Sequence, residues 1–95
     1  MKEPDFVVHH KGDTLGVVVV EGVKAGQTLT GWVMETDETI EVKVLDAVPL
    51  GHKLALADIA DGADMIKYGN PVGRASEAIK LGGYVHYQNM KSRRW

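Results

Sequence analysis

The chain has 95 residues, which is enough for one domain and too few for two. Its formal charge of -2 and its isoelectric point near 6.0 give no electrostatic basis for nucleic-acid binding. It contains no cysteine, which excludes disulfides, thiolate zinc sites and iron–sulfur ligation by this chain. The polar N-terminus lacks the apolar core of a signal peptide, and the longest apolar run, Val17–Val20, is far too short to cross a membrane. We therefore expect a cytoplasmic protein without membrane contact.

The small size of the chain also limits the kind of site it can hold. A domain of this length buries only about 60–65% of the surface that its unfolded form exposes, so its core is thin. A deep private cavity would compete with that core for the same few apolar side chains. We expect any site to lie on a surface or to be shared with another chain. Residues 1–95 are treated as one domain, with tails at about 1–5 and 91–95.

The first half of the sequence predicts strands. The β-branched run Val17–Val20 lies between glycines and indicates a buried strand. Leu29–Met34 and Thr39–Leu45 flank the polar segment 35–38, which predicts a hairpin. Apolar and charged residues alternate from 40 to 44, a pattern typical of a strand with one wet face.

The second half predicts shorter elements. Pro49 and Gly51 break the chain before the apolar stretch Lys53–Ala57, and glycines then recur at short intervals, which predicts tight turns between short strands. Ala55–Ala60 and Ser76–Leu81 are each long enough for one or two helical turns at most. No internal repeat is evident. The sequence therefore predicts a mostly-β domain of short strands and hairpins.

Two histidines precede the valine-rich strand. Adjacent residues on a strand point to opposite faces, so His9 and His10 are poorly placed to chelate one metal ion. Two interpretations stay open: His9 and Asp13 belong to a polar strand end, or they contribute to a site.

Cationic or potentially cationic side chains recur beside glycines in the second half. They are His52, Lys53, Lys67, Arg74 and His86. Such groups suit an anionic ligand, because glycine lets backbone N–H groups approach oxygens while the cations neutralise charge. Solvated strand ends would give the same pattern. The histidines lack the short spacing of known metal motifs, so we predict no complete metal site in this chain.

Several ordered motifs resemble a known family. Pro49–Ala60, Ile66–Gly69, Pro71–Gly73 and the segment 85–89 follow one another as they do in the small N-terminal domain of altronate/galactarate dehydratases. That domain is an SAF-type β-clip, a fold also seen in antifreeze-like and sialic-acid-synthase modules. The resemblance implies this fold for the chain.

The resemblance also implies a function. The dehydratase domain usually continues into a large catalytic region, whereas this sequence stops at 91–95 directly after the motifs. It is similar to free-standing small subunits of two-component lyases that act on a 2-hydroxy acid. Conversion of (2R)-3-sulfolactate to pyruvate and bisulfite is the expected reaction. The alternatives are a sugar-acid dehydratase subunit and a stand-alone carbohydrate- or anion-binding module.

The implied reaction assigns roles to named residues. Loss of the C2 proton creates a dianion that needs fixed cations and a divalent metal for stabilisation. The resemblance implies Fe(II) or another divalent metal, bound mainly by a large catalytic partner subunit. His52 and Lys53 would meet the carboxylate or transfer a proton, and His86 would be a general acid or base or at most one shared metal ligand. The implied substrate-binding residues are Lys67, Tyr68, Gly69, Arg74 and Asn89.

The last motif departs from the family pattern. The family alternates histidines as His-Val-His-x-His-Asn, but here Tyr84 and Gln88 take the outer positions, and only His86 and Asn89 remain. Alternate positions of a strand share one face, so the departure weakens a direct metal role for this chain.

Overall fold

The computed structural model describes residues 3–67, 69–86 and 90–92. These residues form strands without any helix, which confirms the mostly-β prediction, and the described part of the chain offers no helix able to cross a membrane. The strands are β1 (Phe6–Val8), β2 (Leu15–Val18), β3 (Thr28–Val33), β4 (Glu38–Lys43), β5 (Lys53–Ala55), β6 (Asp64–Lys67), β7 (Asn70–Ala75), β8 (Tyr84–Val85) and β9 (Met90–Ser92).

The strands form two sheets. The larger has the order β4-β3-β1-β2-β5-β8, and the smaller has the order β6-β7-β9. Strand β1 runs parallel to β3 and antiparallel to β2. The predicted hairpin is confirmed: β3 and β4 pair antiparallel from Thr28↔Lys43 to Val33↔Glu38. Burial alternates along its second arm as predicted, with Val42 buried between the exposed Glu41 and Lys43.

The structure shifts the valine-rich strand. Strand β2 begins at Leu15 and ends at Val18, so the prediction of a strand over Val17–Val20 is wrong by two residues. Four consecutive valines carry no period that fixes a boundary. The ladder fixes it instead, because Phe6 pairs with Val18 and the next residue, Val19, is 42% exposed.

The two candidate helical segments are loops. Ile59 and Ile79, one from each segment, exchange backbone hydrogen bonds in both directions, at 2.7 and 2.8 Å. The N–H of each isoleucine donates to the carbonyl oxygen of the other. This bridge satisfies the backbone groups that a helical turn would otherwise pair internally.

One short turn recurs four times, in the pattern Val/Ile-x-x-Gly, directly before strands β3, β5, β6 and β8. In each copy the residue after the glycine donates its N–H to the carbonyl oxygen of the residue that follows the valine or isoleucine. Examples are His52 N–H to Pro49 O (3.0 Å) and Gly83 N–H to Lys80 O (2.8 Å). The glycine has positive φ, as at Gly51 (84°) and Gly82 (86°), which is the geometry of a type II turn. The unit is too short for sequence self-similarity to reveal.

Two apolar cores flank the larger sheet. The first contains Phe6, Val8, Val18, Val23, Leu29, Val33, Val42, Val44, Val48 and Leu54. The second contains Leu15, Ala55, Ile59, Met65, Ala75, Ile79 and Val85. Adjacent β5 residues divide between them, Leu54 to the first core and Ala55 to the second, because neighbouring side chains on a strand point to opposite faces. At β5 the sheet is therefore covered on both sides.

Glycine 31 provides a test of the first core. Phe6 is fully buried opposite Gly31, and a Cβ on that glycine would overlap the Phe6 ring. We expect Gly31→Ala to lower the free energy of unfolding by about 2 kcal/mol or more, because the largest core side chain must move. Gly16→Ala is the matched control, since its Cβ would approach the same ring only to 3.0 Å. Urea unfolding measures both variants, and we expect the larger loss of unfolding free energy in Gly31→Ala. Equal losses in the two variants would contradict the prediction.

Candidate functional site

The edge formed by β5 and β8 brings two sequence-predicted residues together. His52 is the last residue of the turn before β5, and His86 directly follows β8. Pairing of Lys53 with Val85 and of Leu54 with Tyr84 holds the two segments side by side. The backbone N–H of Tyr84 donates to Asp46 Oδ2 at 3.0 Å, which fixes the start of β8.

Tyr84 lies between the two imidazoles. Its hydroxyl oxygen is 2.9 Å from His52 Nδ1, and the two rings meet edge to face with centroids 5.7 Å apart. The Tyr84 and His86 ring centroids are 4.7 Å apart at an interplanar angle of 54°. Tyr84 and His86 share a face because they are two residues apart on an extended segment. We call this group the His52–Tyr84–His86 cluster.

Lys53 faces away from this cluster. Its ladder partner Val85 and its second neighbour Ala55 both belong to the second core, whereas Tyr84 packs against the first core. Strand alternation therefore places Lys53 on the opposite side of the sheet from His52. The two residues predicted to act together are not brought together.

A second polar cluster surrounds Asp13. Its side chain is only 7% exposed, and its two oxygens accept hydrogen bonds from the N–H groups of Gly69 (2.9 Å) and His10 (3.2 Å). Lys67 is also buried, and its positive charge acts on His9. Two of the residues predicted to bind substrate, Lys67 and Gly69, thus pack against the loop after β1. A buried carboxylate needs such partners to remain charged.

Two groups in this region have shifted pKa values. Burial lowers the pKa of His9 below its ordinary 6.5, the positive charge of Lys67 adds to that lowering, and Asp13 opposes it. The pKa of Glu35 is also lowered, first by the side-chain hydrogen bond with His10 and then by the N–H of Lys11. Glu35 lies 3.1 Å from His10 Nδ1 and 3.0 Å from the Lys11 nitrogen.

The two clusters lie at opposite ends of the β2–β5 ladder. Val18 donates its N–H to His52 O at one end, and Leu56 donates to Thr14 O at the other. The two ends are four residue positions apart along each strand, a distance of roughly 13 Å.

Arg74 and two further predicted residues lie elsewhere. Arg74 is on the smaller sheet, where its largely exposed side chain pairs with Asp64 at 3.7 Å. Tyr68 and Asn89 lie outside the described residues. The predicted set therefore does not form one pocket within the described chain.

The surface around the His52–Tyr84–His86 cluster is open and partly apolar. Tyr84 and His86 line a groove of about 410 Å³ whose wall also carries Asp46, Glu77 and Lys80. Four large apolar side chains remain 42–50% exposed in segments that adjoin this edge in sequence or are joined to it by backbone hydrogen bonds: Val19, Leu45, Leu50 and Leu81. The groove is too shallow to enclose a ligand by itself.

The donor set in the described residues does not fit a metal centre. No group of three or more histidine, aspartate or glutamate side chains is placed to hold an ion within the ranges that the structure describes. In the His52–Tyr84–His86 cluster, the phenol of Tyr84 lies against both imidazoles.

Tyr84 is the residue that sequence reasoning missed. In the family pattern, Tyr84 stands where a histidine is expected, and the pattern alone indicates only the loss of a possible ligand. The signal that could have found it is its spacing of two residues from His86, which places both rings on one face. Its partner His52 lies 32 residues away, and local pattern does not show that pairing.

The buried carboxylate of Asp13 gives a stability prediction. In Asp13→Asn an NH₂ group replaces one oxygen that accepts a backbone N–H, so we expect the free energy of unfolding to fall by about 1–3 kcal/mol. Asp58→Asn is the matched control, because Asp58 is exposed and accepts one N–H, from Leu81 at 2.8 Å. Its loss should stay below about 1 kcal/mol. Urea unfolding of both variants makes the comparison, and a control that loses as much would show that burial of Asp13 has no effect.

The shifted pKa values give a pH prediction. The unfolded chain takes up a proton at His9 before the folded chain does, so the free energy of unfolding falls as pH drops below about 6.5. Stabilisation by Glu35 is present above its ordinary pKa of 4.5 and is lost as pH falls through its lowered value. Urea titrations at several pH values should show both steps. His9→Gln should remove the change in unfolding free energy near pH 6.5, and Glu35→Gln should remove the change below pH 4.5. If His9→Gln leaves the slope near pH 6.5 unchanged, His9 is not the group responsible.

Comparisons with known proteins identify the family. The model of the altronate/galactarate dehydratase SAF domain matches residues 4–93. The chain is 54% identical over 91 residues to the (2R)-sulfolactate sulfo-lyase subunit alpha of Chromohalobacter salexigens, covering 96% of this chain and 97% of that one. It is 40% identical over 48 residues to the protein of the same name from Paracoccus pantotrophus, covering 50% of this chain and 72% of the relative.

A longer relative matches through the same domain. The chain is 30% identical over 87 residues to the altronate dehydratase of Bacillus subtilis, which covers 92% of this chain but only 16% of the dehydratase. The family predicted from the motifs between Pro49 and 89 is therefore confirmed. The chain belongs to the altronate/galactarate dehydratase SAF-domain family.

Proposed function

We propose that this chain is the small subunit of a two-component lyase that converts (2R)-3-sulfolactate to pyruvate and bisulfite. One observation carries the proposal: the similarity to a sulfolactate sulfo-lyase subunit alpha spans 97% of that relative at 54% identity. The match to altronate dehydratase is weaker and confined to a small part of a much longer protein. The name "subunit alpha" belongs to a protein with at least one other subunit, and we extend that arrangement to this chain.

The geometry supports an incomplete site. The His52–Tyr84–His86 cluster lies at a sheet edge beside an open groove; the exposed Leu45 lines that groove, and the exposed Leu81 directly follows Lys80 of its wall. Exposed apolar patches of this kind mark surfaces that associate with other proteins. We assign to the large partner subunit the wall that closes the groove.

The chemistry requires charge stabilisation at this closed site. The C2 proton of sulfolactate leaves, the C3–S bond breaks as bisulfite departs, and the resulting enol becomes the ketone of pyruvate. Negative charge develops on the carboxylate side, and positioned donors lower that barrier most effectively in a site without water. His86 lines the groove, and His52 lies within hydrogen-bond distance of Tyr84 in its wall, so we propose these two imidazoles as donors.

We place the divalent metal, Fe(II) or another ion, on the partner. Such an ion polarises the carboxylate and 2-hydroxyl of a substrate. Within the residues that the structure describes, no group of donors fits such an ion, and this supports a metal held mostly or entirely by ligands of the partner. His86 as a single shared ligand is consistent with its position at the edge.

We also propose the remaining predicted residues as substrate contacts. Lys67 and Gly69 belong to the Asp13 cluster, and Arg74 pairs with Asp64 on the smaller sheet. Their proposed role as contacts for the distal anion requires the substrate or partner to reach those surfaces. Tyr68 and Asn89 remain sequence-based proposals.

A sugar-acid dehydratase subunit is the second candidate. The similarity to altronate and galactarate dehydratases favours it. The two reactions share loss of the C2 proton and differ in the C3 leaving group, hydroxide instead of bisulfite. The products therefore separate the candidates, and a stand-alone binding module would yield neither.

The test is reconstitution. Purified chain is mixed with the large lyase subunit from the same genome, and pyruvate and bisulfite are measured with (2R)-3-sulfolactate as substrate. We expect equal amounts of both products from the mixture and none from either protein alone. Dehydration of altronate or galactarate without bisulfite would support the second candidate. A chain that does not bind the large subunit would overturn both enzyme proposals.

Neighbouring substitutions test which face of β5 meets the substrate. We expect His52→Ala to lower kcat/KM of the complex by about tenfold or more, equivalent to about 1.4 kcal/mol. Lys53→Ala is the matched control on the opposite face and should stay within about threefold. If His52→Ala also stays within threefold, His52 has no role in the reaction. A larger effect at Lys53 would show that the other face is the active one.

A further inference from the structure

The hydrogen bond between Tyr84 and His52 is held from several sides. The Tyr84 ring is half-buried and packs against the first core, and its backbone N–H is fixed by Asp46. The ring of His86 also packs against the Tyr84 ring, with their centroids 4.7 Å apart. The hydroxyl oxygen is therefore kept at 2.9 Å from His52 Nδ1 by the fold.

The direction of this hydrogen bond follows from acidity. A phenol has an ordinary pKa near 10 and is a much stronger acid than a neutral imidazole N–H, while an imidazole nitrogen is a stronger base than a phenolic oxygen. The favoured arrangement has the Tyr84 hydroxyl donating to Nδ1, which leaves the proton of neutral His52 on Nε2. If His52 is protonated, both nitrogens carry hydrogen. Nε2 is a donor in both states.

We propose that Tyr84 is a positioning residue that keeps His52 in the Nε2–H form, so that His52 binds the substrate carboxylate as a hydrogen-bond donor. This inference rests on the proposed function and narrows it. A neutral imidazole whose basic nitrogen is occupied by Tyr84 cannot take the C2 proton through Nε2. The base for that proton therefore lies elsewhere, and His52 orients the 2-hydroxy acid through the carboxylate that all candidate substrates share.

Another histidine of the chain, His10, provides an internal comparison for the tautomer of His52. His10 Nδ1 lies 3.1 Å from a carboxylate oxygen of Glu35. A carboxylate only accepts, so it requires a proton on Nδ1 of His10. His10 and His52 are thus held in opposite neutral tautomers by their two partners.

Nuclear magnetic resonance of the isolated chain tests the tautomers directly. Long-range ¹H–¹⁵N spectra above the ordinary histidine pKa should show His52 protonated at Nε2 and His10 protonated at Nδ1. Tyr84→Phe keeps the ring and removes the hydroxyl. It should raise the Nδ1–H share of His52 and leave His10 unchanged, whereas Glu35→Gln should alter His10 alone. Wild-type His52 with its proton on Nδ1, or a His52 tautomer ratio unaffected by Tyr84→Phe, would overturn the proposal.

Kinetics of the reconstituted complex test the donor role. The side-chain N–H₂ of glutamine can replace the Nε2–H donor of histidine but cannot transfer a proton near neutral pH. We expect His52→Gln to stay within about tenfold of wild-type kcat, because proton transfer by a positioned acid or base is typically worth about 100-fold or more. We expect Tyr84→Phe to raise KM several-fold with a smaller change in kcat. A loss above about 100-fold in His52→Gln, with its pH profile altered, would show that His52 transfers a proton.

The two experiments fail separately. A wild-type complex that does not cleave sulfolactate would refute the proposed function, while the spectra of the isolated chain would still decide whether Tyr84 fixes His52. Correct activity together with the wrong His52 tautomer would refute only the inference.

Discussion

The fold depends on one repeated constraint, the Val/Ile-x-x-Gly turn. The β-branched residues of the four turns form two bridges, Val23 with Val48 in the first core and Ile59 with Ile79 in the second. Each glycine then directs the chain into a strand after a fixed number of residues. His52 ends the second turn and Tyr84 directly follows the fourth, so the hydrogen bond between them results from turn spacing. A substitution that strains Gly82, whose Cβ would overlap the Lys43 carbonyl oxygen, would displace the site together with the fold.

Coverage of the larger sheet on both faces explains why the site lies at an edge. Leu54 and Ala55 belong to different cores, so β5 has apolar neighbours on each side and leaves no room for an interior pocket. Polar side chains therefore reach solvent at the ends of the β2–β5 ladder, beyond the part of the sheet that the two cores cover. One end carries the His52–Tyr84–His86 cluster, and the other carries the Asp13 cluster. In the second cluster Asp13 accepts the N–H of Gly69, 56 residues away, and so links the turn between β6 and β7 to the loop after β1.

Local pattern predicted the parts of this structure that are local. The hairpin of β3 and β4 combines a period of two with an adjacent polar turn, and both signals agree. The valine run had neither, and its boundary depends on pairing with Phe6 from another strand. Strand alternation predicts that Lys53 and His52 point to opposite faces, but only when the position of β5 is known. Contacts such as Tyr84 with His52 join residues from separate strands, and only the sheet order brings them together.

His10 and His52 differ in the charge of their hydrogen-bond partners, and this difference decides which of the two imidazoles can bind an external anion. Glu35 already supplies an anionic acceptor to His10, so that imidazole has little left to offer an external anion. Tyr84 is neutral and occupies the basic nitrogen of the exposed His52, so the N–H of Nε2 is the donor that our proposal assigns to an external anion. The proposed substrate, sulfolactate, carries both a carboxylate and a sulfonate, and a carboxylate hydrogen-bonded to His52 would repel such a dianion. A neutral phenol holds the imidazole in place without that repulsion, which makes tyrosine a suitable residue at position 84 in the site that we propose for a dianion.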